Sequence, residues 1–247
     1  MTEKNDRLRK TDSGKDTFIQ SFPDLLKSSF GENLLSVMLY GSYVRGGFVK
    51  KVSDINVLII VQEPDPAQLE AFGRSARRIM RRNRITPLIL TRQEFNNSAD
   101  VFPMEYFDIR DRNRVIHGVD ETESLSLTIK NLRHQIEDRL RGEIASLRQL
   151  LIVARGRKRV LRQYLKLWAG SLNTVFRGLL RLKRTEPIPA DHGDILAKIK
   201  QTFDIDTSPF NKLNRMRGGQ KLEPVPLSHA LLQGLGELIR IVDKMNL

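Results

Sequence analysis

The sequence predicts an α+β protein, a small mixed β-sheet domain followed by an all-α helical bundle. Three observations carry this. Short apolar runs at 33–41, 54–61, 84–91 and 114–118 read as strands bounded by turn residues or proline. Amphipathic helical patterns lie before and between them. After about residue 123 the strand signals stop, and apolar residues recur at helical spacings of three and four.

The elements follow in order. Residues 1–16 are polar and read as a flexible tail without the apolar stretch of a signal peptide. Residues 17–122 form the sheet domain and 123–247 the bundle. Residues 17–30 read as one helix or a pair of short ones, with Phe18, Phe22, Leu25 and Leu26 toward the core and a break near Pro23. "NLLSVMLYG" is a buried strand ending at Gly41-Ser42, and "DINVLIIV" is a second strand, rich in β-branched residues. "PDP" then breaks the chain before a helix carrying Arg74, Arg77, Arg78 and Arg81 on one face, with Phe72, Ala76, Ile79 and Met80 largely on the other. In "RITPLILT", Pro87 predicts an edge strand or a strand start. The segment 101–115 has no decisive period. "RVIHG" reads as a fourth strand closed by a turn.

In the second half, Leu125, Ile129, Leu132, Ile136, Leu140, Ile144, Leu147 and Leu151 predict one long helix. A second spans about 156–183, with Tyr164 and Trp168 on its apolar face as core residues. Shorter helices are expected at 191–203 and 208–217. "GGQKLEPVP" reads as a loop before a closing helix.

The bulk numbers narrow the function. A formal charge of +13 favours anionic partners: nucleotides, acidic lipid or nucleic acid, the last on charge alone. No run approaches the roughly 18 apolar residues of a membrane span. The sequence has no cysteine, which excludes disulfides and thiolate metal sites and suits a cytoplasmic protein. The four histidines show no metal-ligand spacing.

The chemistry concentrates in "YGSYVRGGFVKKVSDINVLII", residues 40–60. The Gly41-Ser42 turn offers backbone N–H groups and a hydroxyl to an anion, because glycine permits close approach. Arg45, Lys50 and Lys51 flank it. Asp54 and Asn56 open the next strand two residues apart, so they share a face. If the two strands are neighbours, the turn and that face converge on one site.

These residues resemble the nucleotidyltransferase superfamily, whose motif is a Gly-Ser turn, a gap of about ten residues, and acid-apolar-acid on a strand. The resemblance covers about residues 17–120 and looks closest to small bacterial proteins of the minimal and kanamycin-nucleotidyltransferase type, which carry a helical C-terminal domain. It implies that Gly41 and Ser42, with Arg45, hold the phosphates of a nucleoside triphosphate. It implies Asp54 and position 56 as catalytic metal ligands for Mg²⁺, and transfer of a nucleotidyl group to a hydroxyl acceptor. The sequence departs from the motif twice. Position 56 is Asn, a neutral ligand, and "RITPLILT" lacks the family's third acid. Glu105 and Asp108 are candidate substitutes, or else partners of Arg110 and Arg112. Two readings follow: a transferase with an altered metal site, or a degenerate module that senses a nucleotide or docks a partner.

Overall fold

A computed structural model describes residues 13–45 and 54–245. They form two compact units, one of residues up to Ala99 with Tyr106–Ser126, the other of Asp100–Glu105 with Leu127 onward. Asp100–Glu105 groups with the helical unit.

The first unit is built on a mixed four-stranded sheet in the order β3-β2-β1-β4. Its strands are β1 (Leu34–Tyr40), β2 (Ile55–Val61), β3 (Ile85–Thr91) and β4 (Asn113–His117). β1 runs antiparallel to β2 and β4, while β2 and β3 are parallel. That parallel pair needs a crossover, which α3 (Pro66–Asn83) supplies. Asp65 caps α3 by accepting from the Ala67 N–H at 3.0 Å, and Pro66 stands where a missing N–H costs nothing. Pro87 lies on β3, an edge strand.

One sheet face packs against α1 (Ser13–Phe30) and α3. Val37, Leu39, Ile55, Val57 and Ile59 meet Ile19, Phe22, Leu26, Phe72 and Ala76 in one cluster. α1 is continuous through Pro23, where a break was expected, and it begins at Ser13, inside the stretch read as tail; residues 1–12 lie outside the described residues. Phe22 and Leu26 are fully buried on either side of Pro23, and that packing offsets the lost helix bond. The arginines of α3 are exposed, and Arg74 pairs with Glu70 at 3.2 Å.

Two short helices were not anticipated, α4 (Arg92–Asn97) and α5 (Pro103–Asp111). α5 buries Met104, Tyr106, Phe107, Asp108 and Ile109, so it lacks the one-sided pattern that announces a surface helix.

The second unit is all helix: α6 (Ile129–Ala154), α7 (Lys158–Trp168), α8 (Leu172–Leu182), α9 (His192–Phe203), α10 (Ser208–Arg217) and α11 (Pro224–Asp243). Leu132, Ile136, Leu140 and Leu147 form the buried stripe of α6. The helix expected over 156–183 is two helices. At Ala169–Ser171 the ladder gives way to a turn in which the Ser171 N–H donates to the Trp168 carbonyl at 3.1 Å, and Gly170 is a weak helix former. Tyr164 is accordingly 53 % exposed rather than core. α11 starts at Pro224, within the expected loop, because Pro224 fits the first helical position.

Two predictions concern stability. Gly118, after β4, has φ +74°, and a Cβ there would lie 2.1 Å from the Leu35 carbonyl oxygen. Gly118→Ala is therefore expected to cost about 2 kcal/mol or more, read as a lowered urea midpoint. In the helical unit, burial holds the His192 imidazole below its usual pKa; Asp191 opposes this and Arg217 reinforces it. The Nδ1 atom of His192 bonds the Asn173 side chain. The unfolded chain thus takes up a proton that the folded chain refuses. Stability should fall as pH drops through about 6.5, and melting curves of His192→Gln should show a shallower fall over that window.

Candidate functional site

Register decides where the singled-out residues meet. Tyr40, the last residue of β1, pairs with Asn56, the second of β2. Asn56 in turn pairs with Thr86 on β3, and Tyr40 with Asn113 on β4. Paired residues share a face, so Thr86, Asn56, Tyr40 and Asn113 form a polar row across all four strands. The row lies on the face opposite α1 and α3, at the end where β1 finishes and β2 and β3 begin. Behind it, Met38, Leu58 and Ile60 are fully buried.

The Gly41-Ser42 turn closes over this row. Gly41 is buried with φ +82°, and a Cβ added there would lie 2.6 Å from Asn56 Nδ2. Glycine is required twice, once for the backbone angle and once for the Asn56 amide. Ser42 opens the four-residue helix α2 (Ser42–Arg45). The side chain of Arg45, together with Lys50 and Lys51, lies outside the described residues.

Asp54 stands just before β2, and its carboxylate forms an ion pair with the Arg84 guanidinium, Oδ1 to Nη2, at 2.7 Å. Arg84 ends α3 in the left-handed region, at φ 55° and ψ 49°. That conformation costs a non-glycine residue roughly 1–2 kcal/mol. The Ile55 N–H donates to the Arg84 carbonyl at 2.8 Å, so the backbone of this residue is held as well as its side chain. Both partners of the pair are about half exposed, 44 % for Arg84 and 49 % for Asp54.

Sequence reasoning passed over Arg84. The residue stands immediately before the third apolar run, but only the parallel register of β2 with β3 makes it the neighbour of Asp54.

The donor set can be tested against Mg²⁺. Hard cations take carboxylate and other oxygen ligands. Here the acid-bearing end of the sheet offers Asp54, already paired with a cation, and the neutral Asn56. The β3 positions on the same face are Thr86, Leu88 and Leu90, so that strand supplies no carboxylate. Among the described residues no group of three or more His, Asp or Glu is disposed to hold a metal. Glu105 is engaged elsewhere, accepting from Gln135 Nε2 at 2.9 Å, and Asp108 is buried on α5. At the far end of the polar row, Asn113 donates to Asp120 at 3.1 Å. Burial alone would raise the Asp120 carboxyl, but hydrogen bonds from Thr122 and Asn113 more than offset this and hold it below its usual pKa. That acid serves a turn. Among the described residues, those at this sheet end do not fit a two-metal centre.

A separate cavity of about 300 Å³ lies between α6 and α7, walled by Leu147, Leu150, Val153, Tyr164 and Trp168. Ser146 and Gln149 supply its polar groups. The Trp168 indole donates to the buried Glu143 carboxylate, which also pairs with Arg139 at 3.0 Å.

The contact between Gly41 and Asn56 is measurable as a double-mutant cycle. Gly41→Ala should lose about 1–3 kcal/mol through backbone strain and the clash with the amide. Adding Asn56→Ala should recover the clash component but not the strain, leaving a coupling energy of about 0.5 kcal/mol or more in urea unfolding. Additive effects would place the Asn56 side chain away from Gly41.

No protein-family model matches the sequence, and no curated protein matches it. The structure does match a solved one: spectinomycin adenyltransferase AAD(9) from Enterococcus faecialis, crystallised with ATP and spectinomycin. The two are 16% identical, with a TM-score of 0.60 over 92% of this chain and 98% of the other. A likeness over nearly the whole of both chains at this identity is one of fold, and the chain has the nucleotidyltransferase fold with a helical C-terminal part.

Proposed function

We propose that this protein is a nucleotide-binding module of the nucleotidyltransferase fold in which two-metal nucleotidyl transfer has been lost. The similarity to a protein crystallised with ATP supports the ligand class. The observation that supports the loss of transfer is that, among the described residues, the β2–β3 end of the row carries one carboxylate, Asp54, paired with Arg84 and flanked by Asn56 and Thr86. Gly41 and Ser42 would receive phosphate. Two-metal transfer needs anions that fix the metals against both the attacking and the leaving oxygen, and among the described residues the β2–β3 end supplies one.

The expected consequence is quantitative. Ordinary transferases turn over at roughly 10 s⁻¹, and each missing electrostatic group costs about 10² to 10³. Two missing acids place nucleotidyl transfer at about 10⁻³ s⁻¹ or below. Pyrophosphate release from ATP, GTP, CTP and UTP with Mg²⁺, in the presence of spectinomycin and related hydroxyl acceptors, measures this. Asn56→Asp should leave the rate low, since β3 would still lack its acid and Asp54 would still face Arg84. A turnover of about 1 s⁻¹ in the unmodified protein would restore the transferase reading.

A further inference from the structure

We infer that Arg84 takes the place of a divalent cation, so that this site receives the phosphates of a nucleoside triphosphate without metal. The inference rests on the nucleotide-binding reading above and adds the means of binding. Three observations point to it. The 2.7 Å pair with Asp54 puts a permanent positive charge on the carboxylate that a metal would need. The charge is held on short structure, because Arg84 joins α3 directly to β3 and its carbonyl is bonded to Ile55. A cation approaching Asp54 therefore meets the guanidinium at close range. Finally, the neighbouring groups are neutral donors rather than acids: Asn56 against the Gly41 turn, the Ser42 hydroxyl, and Thr86.

The chemistry suits an anion. A guanidinium presents its N–H donors in a planar fork that matches phosphate oxygens two at a time. Asp54 on this view neutralises part of the guanidinium charge and touches no phosphate, so binding does not depend on it. In a metal site Asp54 would be the indispensable ligand, so the two arrangements make opposite demands on the same side chain.

The test uses the full chain and isothermal titration calorimetry with ATP, once with Mg²⁺ and once with excess EDTA. Dissociation constants within about twofold of each other are expected. Arg84→Gly should weaken binding by about ten- to a hundredfold, the worth of a charge-assisted hydrogen bond. Glycine accepts φ 55° without strain, so this variant should keep the fold, as circular dichroism would report; Arg84→Lys should retain part of the affinity. Asp54→Asn should bind ATP as well as the unmodified protein or better, since an anion near the phosphates is removed. Inorganic tripolyphosphate should bind more weakly than ATP, and equal binding would overturn the assignment of the ligand as a nucleotide. Binding present with Mg²⁺, lost in EDTA and abolished by Asp54→Asn would overturn the inference while leaving nucleotide binding intact. Heat signals absent in both conditions would overturn both.

Discussion

The pairing of β1 with β2 that sets Tyr40 opposite Asn56 is the constraint on which the candidate site depends. Once that register holds, the chain leaving β1 must turn directly over the Asn56 side chain. Only a residue without a Cβ, at positive φ, can do so, and Gly41 is that residue. The same register puts Ser42 beside the start of β2. The parallel pairing of β2 with β3 then brings the end of α3 to Asp54. Three segments distant in sequence reach one sheet end because the strands align, and no local preference of any of them would put them there.

The register is secured by the opposite face of the sheet. Shifting either strand by one residue would turn Val57 and Ile59 away from α1 and α3 and bring Asn56 into the apolar cluster. Burial of that cluster is worth about 25 cal/mol per Å² of apolar surface, which outweighs anything the polar row contributes. The half-exposed Asp54–Arg84 pair itself adds only about 0–1 kcal/mol to stability. Its effect is local and electrostatic: Arg84 neutralises the Asp54 carboxylate, while the apolar face keeps the two strands that carry them in register.

Neutral residues at positions 56 and 86 bear on what this sheet end can do more than on how it folds. Asn occupies nearly the volume of Asp and keeps a carbonyl oxygen, so the turn at Gly41 packs on it without rearrangement. Thr86 and Leu88 are comfortable β-strand residues. A carboxylate set is an expensive thing to assemble in one place, since like charges repel and each raises the pKa of its neighbours. Here a single arginine, Arg84, neutralises Asp54.

Much of this was legible without coordinates, where a local period or a turn residue carried the signal. The strands at 34–40, 55–61 and 85–91, the Arg-faced helix and the α6 stripe all announce themselves, because burial on one face imposes spacing on the chain. Gly41, Ser42, Asp54 and Asn56 stood out by their spacing in the same way. Where buried residues follow one another without a gap, as at Tyr106–Ile109 of α5, the period vanishes and the sequence is silent. The break at Ala169–Ser171 was masked by apolar residues that continue in near-helical phase across it. Arg84 was hidden for a different reason: its significance lies in its pairing with a residue thirty positions earlier, and strand order and direction are settled by how faces pack, which is a property of the folded chain. Sequence determined which residues stand at the turn and at the head of the strand; tertiary structure decided that Asp54 faces an arginine, because only the packed sheet aligns β2 with β3.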